Sequence, residues 1–208
     1  ARTSADGRYV LFSSHANNLV AGDDDGRRDY FVLDRNTSTM QRVGTARPLS
    51  SADECRIAAD MTPDARYVTY TDCRDEAGIG FSSYFAIYRW DRQTDSRILV
   101  SRGDGMNGAL PGDTSYESAI SADGNRVAFT SYADNLDPMA PAASANRVFV
   151  RDINAGTTRR ISRREGGSES VLDAFQPAIS ADGRYVAFTS RDPLLGGDRS
   201  DPVSSHVG

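Results

Sequence analysis

The sequence predicts an all-β fold of repeated four-stranded antiparallel sheets, and three observations lead to that prediction. A turn-and-strand segment, Ser-Ala-Asp-Gly-Arg-Tyr-Val-Ala-Phe-Thr-Ser at residues 180–190, occurs four times in related forms. The turn aspartates Asp6, Asp64, Asp123 and Asp182 follow one another at intervals of 58, 59 and 59 residues. Helical patterns are nearly absent between these turns. A fixed period of this length is typical of repeat architectures.

Each repeat predicts four strands in the same order. A short strand leads into the Asp-Gly turn, and the second strand carries a valine and an aromatic residue two positions apart. The third strand ends in an aspartate, and a β-branched residue follows nine positions later, so the last two strands form a hairpin of constant length. These pairs are Asp34 and Val43, Asp91 and Val100, and Asp152 and Ile161. Successive bulky residues in the third strands indicate sheets covered on both faces, as in blades packed around an axis.

The repeat resembles a known propeller family. The segment 180–190, together with Val-Phe-Val-Arg-Asp at 148–152 and Thr-Thr-Arg-Arg-Ile-Ser at 157–162, is similar to the TolB-like repeat, also called the PD40 or WD40-like repeat. The segments 18–23 and 29–32 are similar to a variant found in bacterial surface and secreted proteins. The resemblance implies a β-propeller, and it implies a scaffold, a binding module or an enzyme accessory.

The number of repeats differs from that of the family. One propeller domain is expected over residues 1–208, with repeats at approximately 1–57, 58–116, 117–175 and 176–208, the last of them incomplete. About three and a half repeats fall short of the family's closed rings of six or more blades. A truncated ring is therefore expected, or one that a partner chain completes. Open blade edges would favour self-association.

The composition limits the classes of partner. The chain has 208 residues, of which 38% are hydrophobic and 25% charged, and its net charge is -5. An acidic balance argues against nucleic-acid binding, which needs a basic surface facing the phosphates. No apolar run approaches the roughly 20 residues that cross a bilayer. Every basic residue other than histidine is arginine, which agrees with a bacterial source of high GC content.

The two cysteines flank one of the turns. Cys55 and Cys73 each lie nine residues from Asp64, so a hairpin centred there brings them opposite one another. Facing Cβ atoms lie close enough for a disulfide, and a secreted, periplasmic or cell-surface location would permit one. The alternative is a pair of unconnected thiols near a loop.

One acidic segment suits a metal ion. Asp23, Asp25 and Asp29 lie in Gly-Asp-Asp-Asp-Gly-Arg-Arg-Asp at 22–29, and closely spaced carboxylates in a glycine-containing loop are ligands that Ca²⁺ prefers. The spacing is not that of an EF-hand, and a solvated acidic loop is the alternative. No other cofactor is indicated.

Two inserted loops suit a binding surface. Phe81 and Tyr84 lie in an apolar, glycine-rich loop between the second and third strands of repeat two, and Met139 lies at the same place in repeat three. Loops at this place lie on one rim of a propeller, where binding surfaces commonly form. These residues are the candidates for contact with a protein or glycan.

No catalytic constellation stands out from the repeat. His15 and His206 lie in different terminal repeats, and no Gly-x-Ser-x-Gly motif is present. The recurrence of the turn and strand-end aspartates favours a structural role, because a catalytic residue need occur only once. The sequence therefore favours a non-catalytic binding or scaffolding module. The alternative is a propeller domain of, or accessory to, a secreted hydrolase or lyase.

Overall fold

The structure, a computed structural model, describes residues 1–23, 26, 28–44, 58–72, 85–137, 145–163, 172–191 and 205–207. Every regular element in these ranges is a β-strand. The described part of the chain has no helix of the length and apolar character needed to cross a membrane.

The strands form four antiparallel sheets that follow one another along the chain. Sheet 1 contains β1 (Arg2–Thr3), β2 (Tyr9–Ser14), β3 (Asp29–Asp34) and β4 (Thr39–Arg42). Sheet 2 contains β5 (Ala59–Met61), β6 (Tyr67–Asp72), β7 (Ala86–Asp91) and β8 (Ser96–Leu99). Sheet 3 contains β9 (Ser115–Ile120), β10 (Arg126–Ser131), β11 (Arg147–Asp152) and β12 (Thr157–Arg160). Sheet 4 contains β13 (Ala174–Ile179), β14 (Val186–Ser190) and β15 (Ser205–Val207).

Each strand pairs with its neighbour in sequence, so every sheet is a simple meander. The predicted fold class is therefore confirmed: the fold is all-β, with repeated four-stranded antiparallel sheets. In sheets 1 to 3, the aromatic residue predicted in the second strand lies opposite the aromatic of the third strand, as in the register of Phe12 with Phe31 and of Phe129 with Phe149. Their ring centroids are 5.7 Å apart in both pairs, a distance at which aromatic rings attract.

The sheets pack face to face, which explains the bulky residues on both faces of each strand. Three hydrophobic clusters fill the spaces between sheets 1 and 2, sheets 2 and 3, and sheets 3 and 4. In the second cluster, Ile87 of sheet 2 meets Val127, Phe129 and Phe149 of sheet 3, and all four are buried. Each middle sheet therefore contributes one face to each of two clusters.

The first strands of successive sheets lie next to one another, so they are the inner strands of the assembly. Carboxylates link them. Asp60 of β5 lies 3.4 Å from Arg2 of β1 and accepts a hydrogen bond from the N–H of Ile120 in β9 at 3.2 Å. Glu117 of β9 accepts one from the N–H of Gln176 in β13 at 2.8 Å. Each inner strand is thus tied to the next by a side chain.

The tight turns of neighbouring sheets also contact one another. The N–H of Ala5 donates to the carbonyl of Pro63 at 2.8 Å, and the N–H of Ala122 donates to the carbonyl of Ala181 at 2.9 Å. Between sheets 2 and 3 the corresponding donor would be Pro63, which has no N–H. The Arg89 guanidinium instead donates to the carbonyl of the next turn, Gly124, at 2.6 Å.

The outer edge of sheet 3 is covered by the connection from sheet 2. Asp104 accepts a hydrogen bond from the N–H of Thr158 in β12 at 2.7 Å. Buried Arg151 donates to the carbonyls of Gly103 and Gly105, both at 2.8 Å, and holds the connection in place. A covered edge strand has fewer free groups with which to pair with another chain.

Candidate functional site

The two rims of the assembly differ in character. The turn rim carries the Asp-Gly turns and the hairpins that follow the third strands. The loop rim carries the connections of variable length, from second to third strand and from one sheet to the next. Because the strands are antiparallel, every such connection begins and ends on the same rim. Variable loops on a constant scaffold are where binding residues concentrate.

Hydrogen bonds within the turn rim explain the recurring turn aspartates. Asp6 accepts from the hydroxyl of Ser4 at 2.6 Å and from the N–H of Arg8 at 3.0 Å, while the N–H of Tyr9 donates to Ser4 Oγ at 2.8 Å. The same three bonds recur around the other turn aspartates, Asp64, Asp123 and Asp182. These side chains close the turns in place of backbone partners.

The strand-end aspartates are bound by the residues that follow the turns. Arg8 Nη2 lies 2.6 Å from Asp34, Arg66 Nη2 lies 3.1 Å from Asp91, and Arg126 Nε lies 3.3 Å from Asp152. The hydrogen bond from Arg8 holds the pKa of Asp34 well below its usual range. Each ion pair joins the two hairpins of one sheet.

These shifts predict how stability depends on pH. The pKa of Asp6 is lowered chiefly by its bond from Ser4, and that of Asp34 by Arg8. A carboxylate whose folded pKa is depressed stabilises the fold above its unfolded pKa of about 4 and loses that contribution as pH falls towards the folded pKa. We expect the melting temperature to be level from neutral pH to about pH 5 and to fall below about pH 4.

Thermal melts followed by circular dichroism from pH 7 to pH 2.5 would measure this dependence. Asp34→Asn is the control, because it removes one of the depressed carboxylates and should lower the melting temperature less at acid pH than at neutral pH. A melting temperature unchanged at pH 3 would contradict the structural role of the aspartates.

The loop rim holds a polar and aromatic cluster between sheets 3 and 4, the rim cluster: Tyr116, Tyr132, Asn146 and Asp173. The hydroxyl of Tyr116 donates to Asn146 Oδ1. Asn146 in turn donates to Asp173 Oδ1, from its N–H at 2.9 Å and from Nδ2 at 3.2 Å. The rings of Tyr116 and Tyr132 lie 6.1 Å apart, and Tyr132 is 39% exposed. The cluster therefore offers an aromatic surface beside an ordered hydrogen-bond network.

Ionisation in the rim cluster is suppressed at Tyr116. Burial, with the charge of neighbouring groups, raises the pKa of its phenol well above the usual value. A phenol that stays protonated at neutral pH donates hydrogen bonds and does not abstract protons. Because its single O–H is already donated to Asn146, Tyr116 orders the network and does not suit base catalysis.

An exposed cation lies next to the rim cluster. Arg191 is 3.4 Å from Asp173, and its guanidinium lies over the ring of Phe175, 5.8 Å from the centroid. Its side chain remains 66% exposed. Tyr132, Phe175 and Arg191 together give this part of the loop rim aromatic and cationic groups in contact with solvent.

Two inner-strand residues beside the cluster adopt an unusual backbone. Glu117 and Gln176 have φ values of 51° and 55°, in the left-handed region that non-glycine residues seldom adopt. Both lie where the register of an inner strand shifts at a β-bulge. Strained residues of this kind concentrate at functional sites. Glu117 and Gln176 occupy the same place in the repeat, and an alignment of the repeats would have shown this. No sequence signal indicates the rim cluster.

A cavity of about 320 Å³ opens between sheets 1 and 2. Its walls include Arg2, Phe12, Arg28 and Ala59. None of its described lining residues is a carboxylate or a histidine, so these walls lack an acid–base pair.

Comparison with known proteins identifies the architecture. No protein-family model matches the sequence, and no curated protein matches it. Among solved structures, TolB from Acinetobacter baumannii aligns with a TM-score of 0.53 and 20% identity over 92% of this chain and 37% of that one. Four sheets in sequence, with their inner strands side by side, match its blades. The fold is a partial β-propeller.

The same propeller architecture occurs in proteins of other functions. An oligogalacturonate lyase from Vibrio parahaemolyticus aligns with a TM-score of 0.57 and 14% identity over 92% of this chain and 44% of that one. Porphyromonas gingivalis dipeptidyl peptidase 4 aligns with a TM-score of 0.52 and 12% identity over 92% of this chain and 29% of that one. The chain spans less than half the length of each of these three proteins. At these identities the likeness shows the propeller fold and no particular function.

The acidic segment of the propeller forms an ion pair with a neighbouring strand. Arg42 Nη1 donates to Asp23 Oδ1 at 2.9 Å and lies 3.7 Å from Asp29 Oδ2. Both aspartate side chains are almost fully buried. Asp25 lies outside the described residues, and the described residues bring no three metal-ligating side chains together. Binding of Ca²⁺ here stays a prediction, and Arg42 would have to move for the ion to reach both carboxylates.

The other predicted site residues lie outside the described part of the propeller. They are the ligand-binding candidates Phe81, Tyr84 and Met139 and the disulfide candidates Cys55 and Cys73. The described strand ends that flank the two predicted loops, Asp72 with Ala86 and Ser131 with Arg147, lie on the loop rim. The rim cluster is on that same rim.

Proposed function

We propose that this chain is a non-catalytic binding or scaffolding propeller module that recognises a protein or glycan partner through its loop rim. The observation that carries the proposal is the rim cluster, in which protonated Tyr116, Asn146 and Asp173 form an ordered network beside exposed Tyr132. Aromatic rings with a polar end supply contact area at small entropic cost. Loops with Phe81, Tyr84 and Met139 would extend this surface.

We also propose that the module acts outside the cytoplasm of a bacterium, in the periplasm, at the cell surface or after secretion. Support comes from the likeness to bacterial TolB propellers. The predicted disulfide between Cys55 and Cys73 would fit such an oxidising setting.

Binding measurements with matched tyrosine variants test the proposed surface. We would titrate oligogalacturonate, neutral oligosaccharides and an acidic peptide set by calorimetry, beginning with oligogalacturonate because one structural relative is a lyase of that name. For the probe that binds, Tyr132→Ala and Arg191→Ala should each weaken binding about tenfold, since hot-spot aromatic and arginine side chains contribute this much. Tyr185→Ala, on the turn rim, should leave the affinity unchanged.

Two results would count against a binding role for the loop rim. One is the absence of binding to any of the three probe classes. The other is binding that Tyr185→Ala weakens and the two loop-rim variants leave intact.

The second candidate function is a domain of, or accessory to, a hydrolase or lyase, and the propeller fold shared with lyases and peptidases favours it. Its test is incubation of the protein with oligogalacturonate, followed by chromatography for shortened products. Product formation that disappears in Tyr116→Phe would replace the binding proposal, because it would require the phenol to act in catalysis.

A further inference from the structure

The sheets meet through one repeated joint. The middle of each second strand has one residue that points to the following sheet. In sheets 1 to 3 these residues, Leu11, Thr69 and Ala128, are buried. The residue at the same place in sheet 4, Ala187, is exposed. Among the described residues, none covers Ala187 on the forward face of sheet 4, the face that in the other sheets meets the next sheet.

At the joint between sheets 1 and 2, a tyrosine at the start of the second strand also takes part in the contact. Tyr9 lies between two guanidinium groups, that of its neighbour Arg8 at 4.8 Å and that of Arg92 from sheet 2 at 4.3 Å. Tyr185 occupies the same place in sheet 4 and has Arg184 stacked on it at 5.4 Å. Its side chain is 54% exposed. Among the described residues, no second guanidinium stacks on Tyr185 as Arg92 stacks on Tyr9.

The opposite end of the molecule presents the complementary half. On the back face of sheet 1, Val10 and Phe12 are only partly buried. The residues at their places in the other sheets are buried: Val68, Tyr70, Val127, Phe129, Val186 and Phe188. These are the side chains that a preceding sheet covers. Val10 and Phe12 therefore form a partly exposed apolar patch on a face whose other aromatic residue, Phe31, is buried.

The arginine needed for the joint is also in place on sheet 1. Arg35 follows its strand-end aspartate as Arg92 does. It donates to the carbonyl of Gly7 at 2.9 Å, just as Arg92 donates to that of Ala65 at 2.8 Å. Arg92, held in this way, reaches the tyrosine of the preceding sheet. Arg35 is held in the same way and is exposed.

We propose that two copies of this chain associate head to tail, with the forward face of sheet 4 in one copy covering the back face of sheet 1 in the other. Tyr185 then packs between Arg184 and Arg35 of the second copy, as Tyr9 does between Arg8 and Arg92. The N–H of Ala181 donates to the carbonyl of Ala5 in the second copy, as that of Ala122 does to Ala181 within the chain.

The size of the assembly agrees with the architecture. Four sheets from each of two copies give eight, and propellers have about four to eight blades. A head-to-tail contact forms a ring when its rotation closes, and two identical joints would then bury both open faces.

Sedimentation equilibrium of the purified 208-residue chain over a wide concentration range tests the proposal. We expect reversible association to twice the chain mass. Tyr185→Arg places two like charges across the joint and should raise the dissociation constant at least about tenfold, since buried interface tyrosines and like-charge contacts each have effects of this size. Tyr132→Arg, a matched exposed tyrosine on the loop rim, should leave the dissociation constant unchanged.

Mixing experiments show whether the contact is head to tail. Arg35→Glu should weaken association as Tyr185→Arg does. An equimolar mixture of the two variants can form one joint with opposite charges, so it should associate more strongly than either alone. The double variant Tyr185→Arg, Arg35→Glu has opposite charges across every joint and should recover most of the association.

A chain that remains monomeric at the highest concentration would overturn the proposal. So would association that neither variant weakens, because a different surface would then mediate it. Circular dichroism of each variant confirms its fold, and Tyr185→Arg carries the test even if Arg35→Glu is unstable, since Tyr185 is exposed within the chain. Ligand binding at the loop rim is measured separately, so either proposal can fail without the other.

Discussion

Replacing Gly124 by alanine is expected to destabilise the protein by about 3 kcal/mol, from left-handed strain and overpacking together. The residue has a φ of +72°, a conformation that costs alanine energy. A Cβ atom at this position would lie 2.2 Å from Cδ2 of Tyr67. That ring is held between the guanidinium groups of Arg66 at 4.8 Å and Arg89 at 4.3 Å, so it cannot move aside without breaking these contacts.

Gly7→Ala is the matched control for this substitution. Gly7 has nearly the same φ, +69°, but the nearest atom to an added Cβ is Arg35 Nη1 at 3.8 Å. We expect a loss of about 1 kcal/mol, from backbone strain alone. Ala65 at φ 56° shows that alanine is accepted at this place in the repeat. Urea denaturation of dilute protein would measure the free energy of unfolding of both variants. Equal losses of stability would show that the Tyr67 contact has no effect.

Replacing Phe129 by alanine is expected to lower the free energy of unfolding by about 3–5 kcal/mol, the usual cost of truncating a buried phenylalanine. Phe129 is fully buried between sheets 2 and 3, and its ring stacks on Phe149 at 5.7 Å. Alanine would leave a cavity in the cluster that joins these two sheets. The surrounding strands cannot close it without breaking their ladder hydrogen bonds.

Phe12→Ala tests the same position in sheet 1. Phe12 also pairs with an aromatic of the third strand, Phe31, at 5.7 Å, but it is only partly buried. Its replacement should cost about 1–2 kcal/mol in dilute protein, because less apolar area returns to water. Chemical denaturation of the two variants provides the comparison. If Phe12→Ala were the more damaging change, the assignment of Phe129 to a packed joint would be wrong.

The repeat could be predicted because its signals are local. Asp6 binds Ser4 and the N–H of Arg8 within one turn, so the short segment contains nearly all of the information that forms it. Constant offsets, such as nine residues from Asp34 to Val43, fix the second hairpin in the same way. Such short-range chemistry is readable from a single sequence.

The site could not be predicted because its residues meet only in the folded chain. Tyr116 comes from an inner strand, Asn146 from the start of a third strand and Asp173 from the connection to the next sheet. No sequence spacing relates them. The partner of Asp23 was missed for a similar reason, since Arg42 approaches it from another strand. Glu117 has no preference for the left-handed region, so its backbone follows from the bulge and from its bond to Gln176.

Because Pro63 has no N–H, the contacts between successive sheets at the turn rim are not all of the same kind. Sheets 1 and 2, and likewise sheets 3 and 4, are fastened at the turn rim by a bond between main-chain atoms, which no substitution other than proline removes. At the same rim, sheets 2 and 3 are joined by a hydrogen bond from the side chain of Arg89 to the carbonyl of Gly124. A single mutation at Arg89 can therefore remove the turn-rim link between the two halves, and the boundary between sheets 2 and 3 is the natural place to divide the protein into interchangeable two-sheet parts.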